Sequence, residues 1–110
     1  MRYNAAMAET SAPLARGKFP TPVDRQSVAT DWRARGFSCD LFTDPPGREW
    51  MDFIHDVNEL VTVMSGKLEM ELGGTWFVVG EGDEVFIPRG MRHSVRNINE
   101  RTTRWLYGYD

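Results

Sequence analysis

The chain has 110 residues and a mass of 12.6 kDa, which leaves room for one domain around one core. Its net charge of -3 comes from interspersed acidic and basic residues, so there is no basic stripe for a phosphate backbone and nucleic acid is set aside as a partner. No apolar run approaches bilayer length and no hydrophobic signal core stands at the N-terminus. With Cys39 alone and unable to form an internal disulfide, a cytoplasmic protein without membrane association is expected.

In chain order, residues 1–28 are rich in Ala, Pro, Ser and Thr and poor in large apolar groups, so a flexible tail is expected there, with the folded domain over residues 29–110. No sustained helical period follows; the pattern is short alternation punctuated by turns. Leu68, Met70 and Leu72 alternate with Lys67, Glu69 and Glu71, giving a strand with one apolar face. Gly73 and Gly74 interrupt the run before Trp76, Phe77, Val78 and Val79 resume it, the pattern of a tight hairpin. Gly80, Gly82 and Asp83 turn the chain again. Val85, Phe86 and Ile87 form a strand stopped by Pro88, which lacks the amide to extend a ladder. His93 to Ile98 and Thr103 to Tyr109 close an all-β series that would fill a small barrel or jelly roll.

Within this series Gly82, Pro88, Gly90, His93 and Asn97 fall at the spacing Gly-x5-Pro-x-Gly-x2-His-x3-Asn. That spacing resembles the second motif of the cupin superfamily without a departure. Gly47, His55, Glu59 and Gly66 resemble the Gly, second His, Glu and final Gly of the first cupin motif, while Phe53 stands where its first His would be. Together with the residues between them, the two motifs cover about half the chain. Phe37 to Asp44 and Arg104 to Tyr109 are similar, less specifically, to flanking strands of small single-domain cupins. The resemblance implies a single-domain cupin jelly-roll β-barrel. It also offers a second reading of residues 1–28, as an arm exchanged with a neighbouring subunit.

By the same resemblance, His55, Glu59 and His93 are carried over as metal ligands for a divalent transition ion, with Fe, Mn, Ni and Zn all open. Two imidazoles and a carboxylate with vacant positions form the ligand pattern of non-haem iron oxygen chemistry. Phe53 cannot coordinate an ion; it either opens space for substrate or water, or fills a pocket whose metal has been lost. If Glu59 is not a ligand, it is the candidate catalytic base. Gly47, Gly66, Gly82, Pro88 and Gly90 read as turn formers, Asn97 as a loop anchor, and Cys39 as a small packed hydrophobe.

Strand parity extends the site, since residues two apart share a face. With His55 inward, Phe53 and Met51 also face inward, and Asp52 and Ile54 outward unless a bulge shifts the register. Trp105, Tyr107 and Tyr109 share one face of the last strand; which face is internal is not given by the sequence. Met51, Phe53, Trp105 and Tyr107 are the expected substrate pocket. Arg89, Arg92 and Arg96 are expected near the barrel mouth, as a solvated rim or an anion clamp.

The expected function is a metal-dependent cupin acting on a small organic molecule, with oxygenase (dioxygenase) chemistry first and isomerase or lyase chemistry close behind, because fold does not fix reaction. The alternative is a non-catalytic cupin that binds a small ligand, which the Phe53 replacement favours. Exposed edge strands and the habit of small cupins point to a homodimer.

Overall fold

The computed structural model describes residues 13–110. Its strands are β1 (Leu14–Ala15), β2 (Asp40–Asp44), β3 (Glu49–Phe53), β4 (Glu59–Ser65), β5 (Leu68–Leu72), β6 (Thr75–Val79), β7 (Glu84–Ile87), β8 (His93–Arg96) and β9 (Thr103–Tyr109). They pair antiparallel into a five-stranded sheet in the order β1-β7-β4-β9-β2 and a four-stranded sheet in the order β3-β8-β5-β6. Most neighbours in space are not neighbours in sequence, the connectivity of a jelly roll. The all-β jelly-roll expectation is met.

The inner core lies between the sheets. Val61, Val63, Val85, Ile87 and Trp105 project from one sheet, and Leu68, Met70, Leu72, Val79 and Val95 from the other. The period-two pattern read from Leu68 to Val79 is what produces this, because Leu68 pairs with Val79 and Met70 with Phe77 across the expected hairpin. The motif glycines do occupy turns. At Gly66 (φ 102) and Gly82 (φ 83) a side chain is barred twice, by the left-handed backbone and by a collision of any Cβ with Thr103 Oγ1 or the Phe19 carbonyl oxygen.

Two features differ from the sequence reading. A helix, α1 (Arg25–Ala34), packs on the outer face of the five-stranded sheet. Asp24 caps it, accepting from the Ser27 amide at 3.2 Å, and its buried stripe is only Val28 and Trp32, one turn apart. So short a stripe produces no sustained period; the readable signals were the Asp24 cap, the i,i+4 pair and Gly36 (φ 89) beyond the end. Val28 and Trp32 meet Leu60 and Leu106, with Phe19 and Val23 completing an outer core against which half-buried Cys39 packs. Trp32 Nε1 donates to Glu84 Oε1 at 2.9 Å, and Arg35 Nη1 to Glu84 Oε2 at 3.1 Å, tying the helix to β7.

The second difference concerns the N-terminal segment. From residue 13 onward the expected tail is packed on its own barrel: Leu14 pairs with Val85, the Phe86 amide donates to the Pro13 carbonyl at 2.8 Å, and the Phe19 amide donates to that of Gly82 at 3.0 Å. The boundary placed at residue 28 falls inside α1. Few apolar residues suffice here, because they cover a sheet that already exists rather than building a core of their own. Residues 1–12, the rest of that expectation, lie outside the described residues. Among the described residues no helix is long and apolar enough to cross a membrane.

Candidate metal centre

One end of the inner core is not filled. A cavity of about 230 Å³ opens there, lined by Phe42, Trp50, Phe53, Trp105, Tyr107 and Tyr109 together with Val95, His55, Glu59 and His93. The fold brings the polar three to one place from three elements. Glu59 begins β4 facing inward, in register with Ile87 and Tyr109. His93 begins β8. His55 sits in the loop after β3, held because its carbonyl accepts from the Gly90 amide at 2.9 Å, so the Pro88 to Gly90 turn positions both imidazoles.

His55 Nε2 lies 3.4 Å and His93 Nε2 3.6 Å from Glu59 Oε1, and the potential ligand atoms of all three residues fall within 4.8 Å of one another. Glu59 is 4% exposed, and its Oε1 has no hydrogen-bond partner among the described residues. A buried carboxylate oxygen without a partner is costly and calls for a compensating charge. Burial alone pushes the Glu59 carboxyl up to about 7. His55 is held below the ordinary imidazole value, first by desolvation and then by the neighbouring His93. His93 Nδ1 is 3.0 Å from the Met91 carbonyl oxygen, to which it donates; in the neutral ring this tautomer turns the Nε2 lone pair toward the cluster.

These residues fit a divalent ion. Nitrogen and oxygen donors about 2.0–2.2 Å from one small ion stand roughly 3.0–3.5 Å apart, depending on angle, close to the separations found here. Two imidazoles with a single carboxylate match the preference of first-row transition ions.

The cavity corrects part of the expected pocket. Phe53, Trp105 and Tyr107 line it as expected; Met51 does not, and is 44% exposed. Trp50 pairs with Val95 and Phe53 with His93, so Met51 and Asp52 together oppose Ser94 in a β-bulge, with Asp52 at φ 60 and its amide donating to Ser94 Oγ at 3.0 Å. The extra residue reverses parity upstream and turns Trp50 inward in place of Met51. Nothing in the sequence marks this bulge, since Asp52 is not a glycine. Asp52 stays outside the cavity, as the parity argument required. Of the other pocket residues absent from the expected set, Tyr109 carried a signal by parity with Tyr107 and Val95 by parity with His93, whereas Phe42 is brought in only by the register that pairs it with Trp105.

Other assignments hold in detail. Asn97 Nδ2 donates to the carbonyls of Asp44 (3.0 Å), Pro45 (2.9 Å) and Arg101 (3.2 Å), while its Oδ1 accepts from Asn99 and Thr103, making it the expected anchor of two loops. Arg92 and Arg96 do not form an anion clamp: Arg96 pairs with Glu69 at 2.7 Å and lies over Trp76, and Arg92 reaches Glu71 at 3.4 Å, both away from the cavity lining.

Comparison with known proteins supports the fold. No curated protein sequence matches the chain at a significant level. Among solved structures, the cupin 2 domain-containing protein from Halorhodospira halophila is similar at TM-score 0.63 and 21% identity, over 71% of this chain and 57% of that one. The Schizosaccharomyces pombe Cnp3 cupin domain is similar at TM-score 0.63 and 23% identity, over 66% and 54%. An oxalate oxidase in complex with the substrate analogue glycolate is similar at TM-score 0.61 and 25% identity, over 68% of this chain and 42% of that one. The chain thus spans less than two thirds of these relatives' own lengths. The cupin domain family model matches residues 40–109, β2 through β9. With both motifs converging on one end of a jelly roll and that match spanning both sheets, the chain belongs to the cupin domain family.

Proposed function

We propose that the protein is a metal-dependent cupin acting on a small organic molecule, with His55, Glu59 and His93 holding a divalent first-row transition ion and oxygenase-type chemistry as the reaction class. The observation that carries this is Glu59 Oε1, buried without a hydrogen-bond partner among the described residues and lying between two imidazole nitrogens. Such an ion supplies Lewis acidity toward a substrate oxygen and, if it is iron, one-electron chemistry with dioxygen. The likeness to an oxalate oxidase supports an oxidoreductase reading over isomerase or lyase chemistry on the same residues.

The chain's own residues have definite tasks. The Met91 carbonyl fixes the His93 tautomer through Nδ1 and presents Nε2 to the cluster. His55, discouraged from protonation, presents a neutral nitrogen. Glu59, with its carboxyl moved to about 7, can hold or release a proton at Oε1 near neutral pH and so serve as the acid–base group when not fully engaged by an ion. The aromatic walls exclude water and orient the substrate's carbon skeleton.

A second reading, a non-catalytic binder of a small ligand, is favoured by Phe53, whose ring lies 6.3 Å from that of His55 where a further ligand would otherwise sit. Elemental analysis of purified protein tests the metal reading: stoichiometric Fe, Mn, Ni or Zn that disappears in His93→Ala is the expected result. A metal-free wild type that takes up none of these ions overturns it. We also propose a cytoplasmic homodimer, supported by the lone cysteine and by the edge strand β6, which leaves Trp76 39% and Val78 43% exposed.

A further inference from the structure

The cavity is polar at one end and aromatic at the other. Along β9, Trp105, Tyr107 and Tyr109 follow one another at ring separations of 5.8 and 5.9 Å, and Tyr109 meets His55 at 5.2 Å. The His55, Glu59 and His93 cluster thus lies at the Tyr109 end, and Trp105 at the far end. Phe42 is the hub of that far end, packed edge-on to Trp50 (5.4 Å, 74°) and Trp105 (5.7 Å, 61°).

Both indoles carry an N–H that could have offered a polar wall, and neither is spare. Asp44, fully buried, accepts from Trp105 Nε1 at 2.8 Å and from Trp50 Nε1 at 3.1 Å. With those donors held by Asp44, the far end offers a ligand only rings and C–H edges. Asp44 is a positioning residue here: it lies on β2, and through Trp50 on β3 and Trp105 on β9 it fixes walls contributed by both sheets.

Among the described residues no Lys or Arg lines the cavity. Arg48 is the nearest cation to these walls, and its guanidinium lies over the Trp50 ring at 4.3 Å with Nε 3.9 Å from Asp44 Oδ1. A divalent ion beside Glu59 leaves about one positive charge for an incoming ligand. A single oxygen donor meets that charge, whereas a second carboxylate would find no cation and no free indole N–H among the lining side chains. The volume sets the size: roughly 150 Å³ suffices to hold benzene in an apolar cavity, and here about 230 Å³ is present.

We propose that the cavity takes a small single-ring aromatic compound bearing one oxygen donor, a phenol, with its ring in the space between the Phe42, Trp50 and Trp105 cluster and the polar end and its oxygen toward His55, Glu59 and His93, and that it rejects short dicarboxylates. This rests on the small-molecule reading of the site above, and only its oxygen contact depends on the ion.

The test is fluorine NMR with 4-fluorophenol added to metal-free and to zinc-treated protein, with zinc content measured on the same samples. The expected result is a saturable shift of the fluorine resonance, unmoved by excess malonate and weakened by more than about tenfold in Val95→Trp, which fills the cavity from its wall. If that variant fails to fold, nuclear Overhauser contacts between 4-fluorophenol ring protons and the Val95 methyl groups of the wild type replace it. Contacts from elsewhere on the surface overturn the placement. Zinc retained without saturable 4-fluorophenol binding, or 4-fluorophenol displaced by malonate, overturns the ligand class. Binding by a protein that takes no zinc supports the ligand class and counts against the metal reading alone.

Discussion

The five-stranded sheet has two buried faces, and they are finished differently. On the outer face, beneath α1, Val28, Trp32, Leu60 and Leu106 are sealed, and the charged group there is satisfied: Glu84 accepts from the Trp32 indole and from Arg35, which leaves the neutral Thr62 hydroxyl as the buried polar side-chain atom of this face without a partner among the described residues. The inner face carries the same device at one end, with Trp50 and Trp105 donating to buried Asp44. At its other end the accounting stops. Glu59 Oε1 is buried and has no donor among the described residues, and beside it the packing gives way to a cavity. A neutral hydroxyl left over is a small cost, whereas a buried carboxylate oxygen between two imidazole nitrogens is a much larger one and marks this end of the inner face as the candidate site.

The largest effect is expected on the sealed face. Trp32→Ala empties the outer core and removes one donor from Glu84, so a loss of about 3–5 kcal/mol is expected in denaturant unfolding. Folded Trp32→Ala protein should bind metal like the wild type, since the centre lies on the opposite face of the sheet. An equal loss of metal affinity would show that the two faces are coupled rather than divided.

The unsatisfied side predicts the opposite sign. The Glu59 carboxyl is raised from 4.5 to about 7 in the folded protein, so the folded state holds this proton more tightly than the unfolded one. Its contribution to stability is therefore full below about pH 4.5 and is lost as pH rises through about 7, a difference of about 3 kcal/mol. Without metal at about pH 8, Glu59→Gln should thus be more stable than wild type by up to that amount, while losing metal uptake. Unfolding curves in chelator across this pH range check it; a variant no more stable than wild type at high pH would mean that Glu59 is compensated by a group of the protein itself.

The smallest effect sharpens the comparison instead of breaking it. Phe53→His places an imidazole where the first motif of the family has one, beside His55 and His93. Since Phe53 is 39% exposed, little stability should be lost, and metal should bind about tenfold tighter, roughly 1.4 kcal/mol, by competition against a chromogenic chelator. Unchanged affinity would mean that the bulge at Asp52 aims position 53 away from the ion.

Much of this was legible in the chain. The turn glycines, the β5–β6 hairpin and the alternation along β9 depend on neighbours in sequence, and His55, Glu59 and His93 were marked by the spacing of their motifs. The helix escaped notice because its buried stripe is a single pair of residues, and the packed segment before it because it borrows a core instead of making one. Met51 was misplaced for another reason: a parity argument assumes a regular ladder, and one extra residue opposite Ser94 exchanges it for Trp50.

The strand pattern, the family resemblance and the candidacy of His55, Glu59 and His93 could be read from the linear chain, because local backbone preference and motif spacing are properties of neighbours in sequence. That the aromatic face of β9 is the inner one, that Asp44 turns two indole donors out of the cavity, and that Glu59 Oε1 has no partner among the described residues follow from the folded arrangement alone. Each of these depends on which groups from distant strands arrive at the same place, and burial and hydrogen-bond satisfaction have no value until they do.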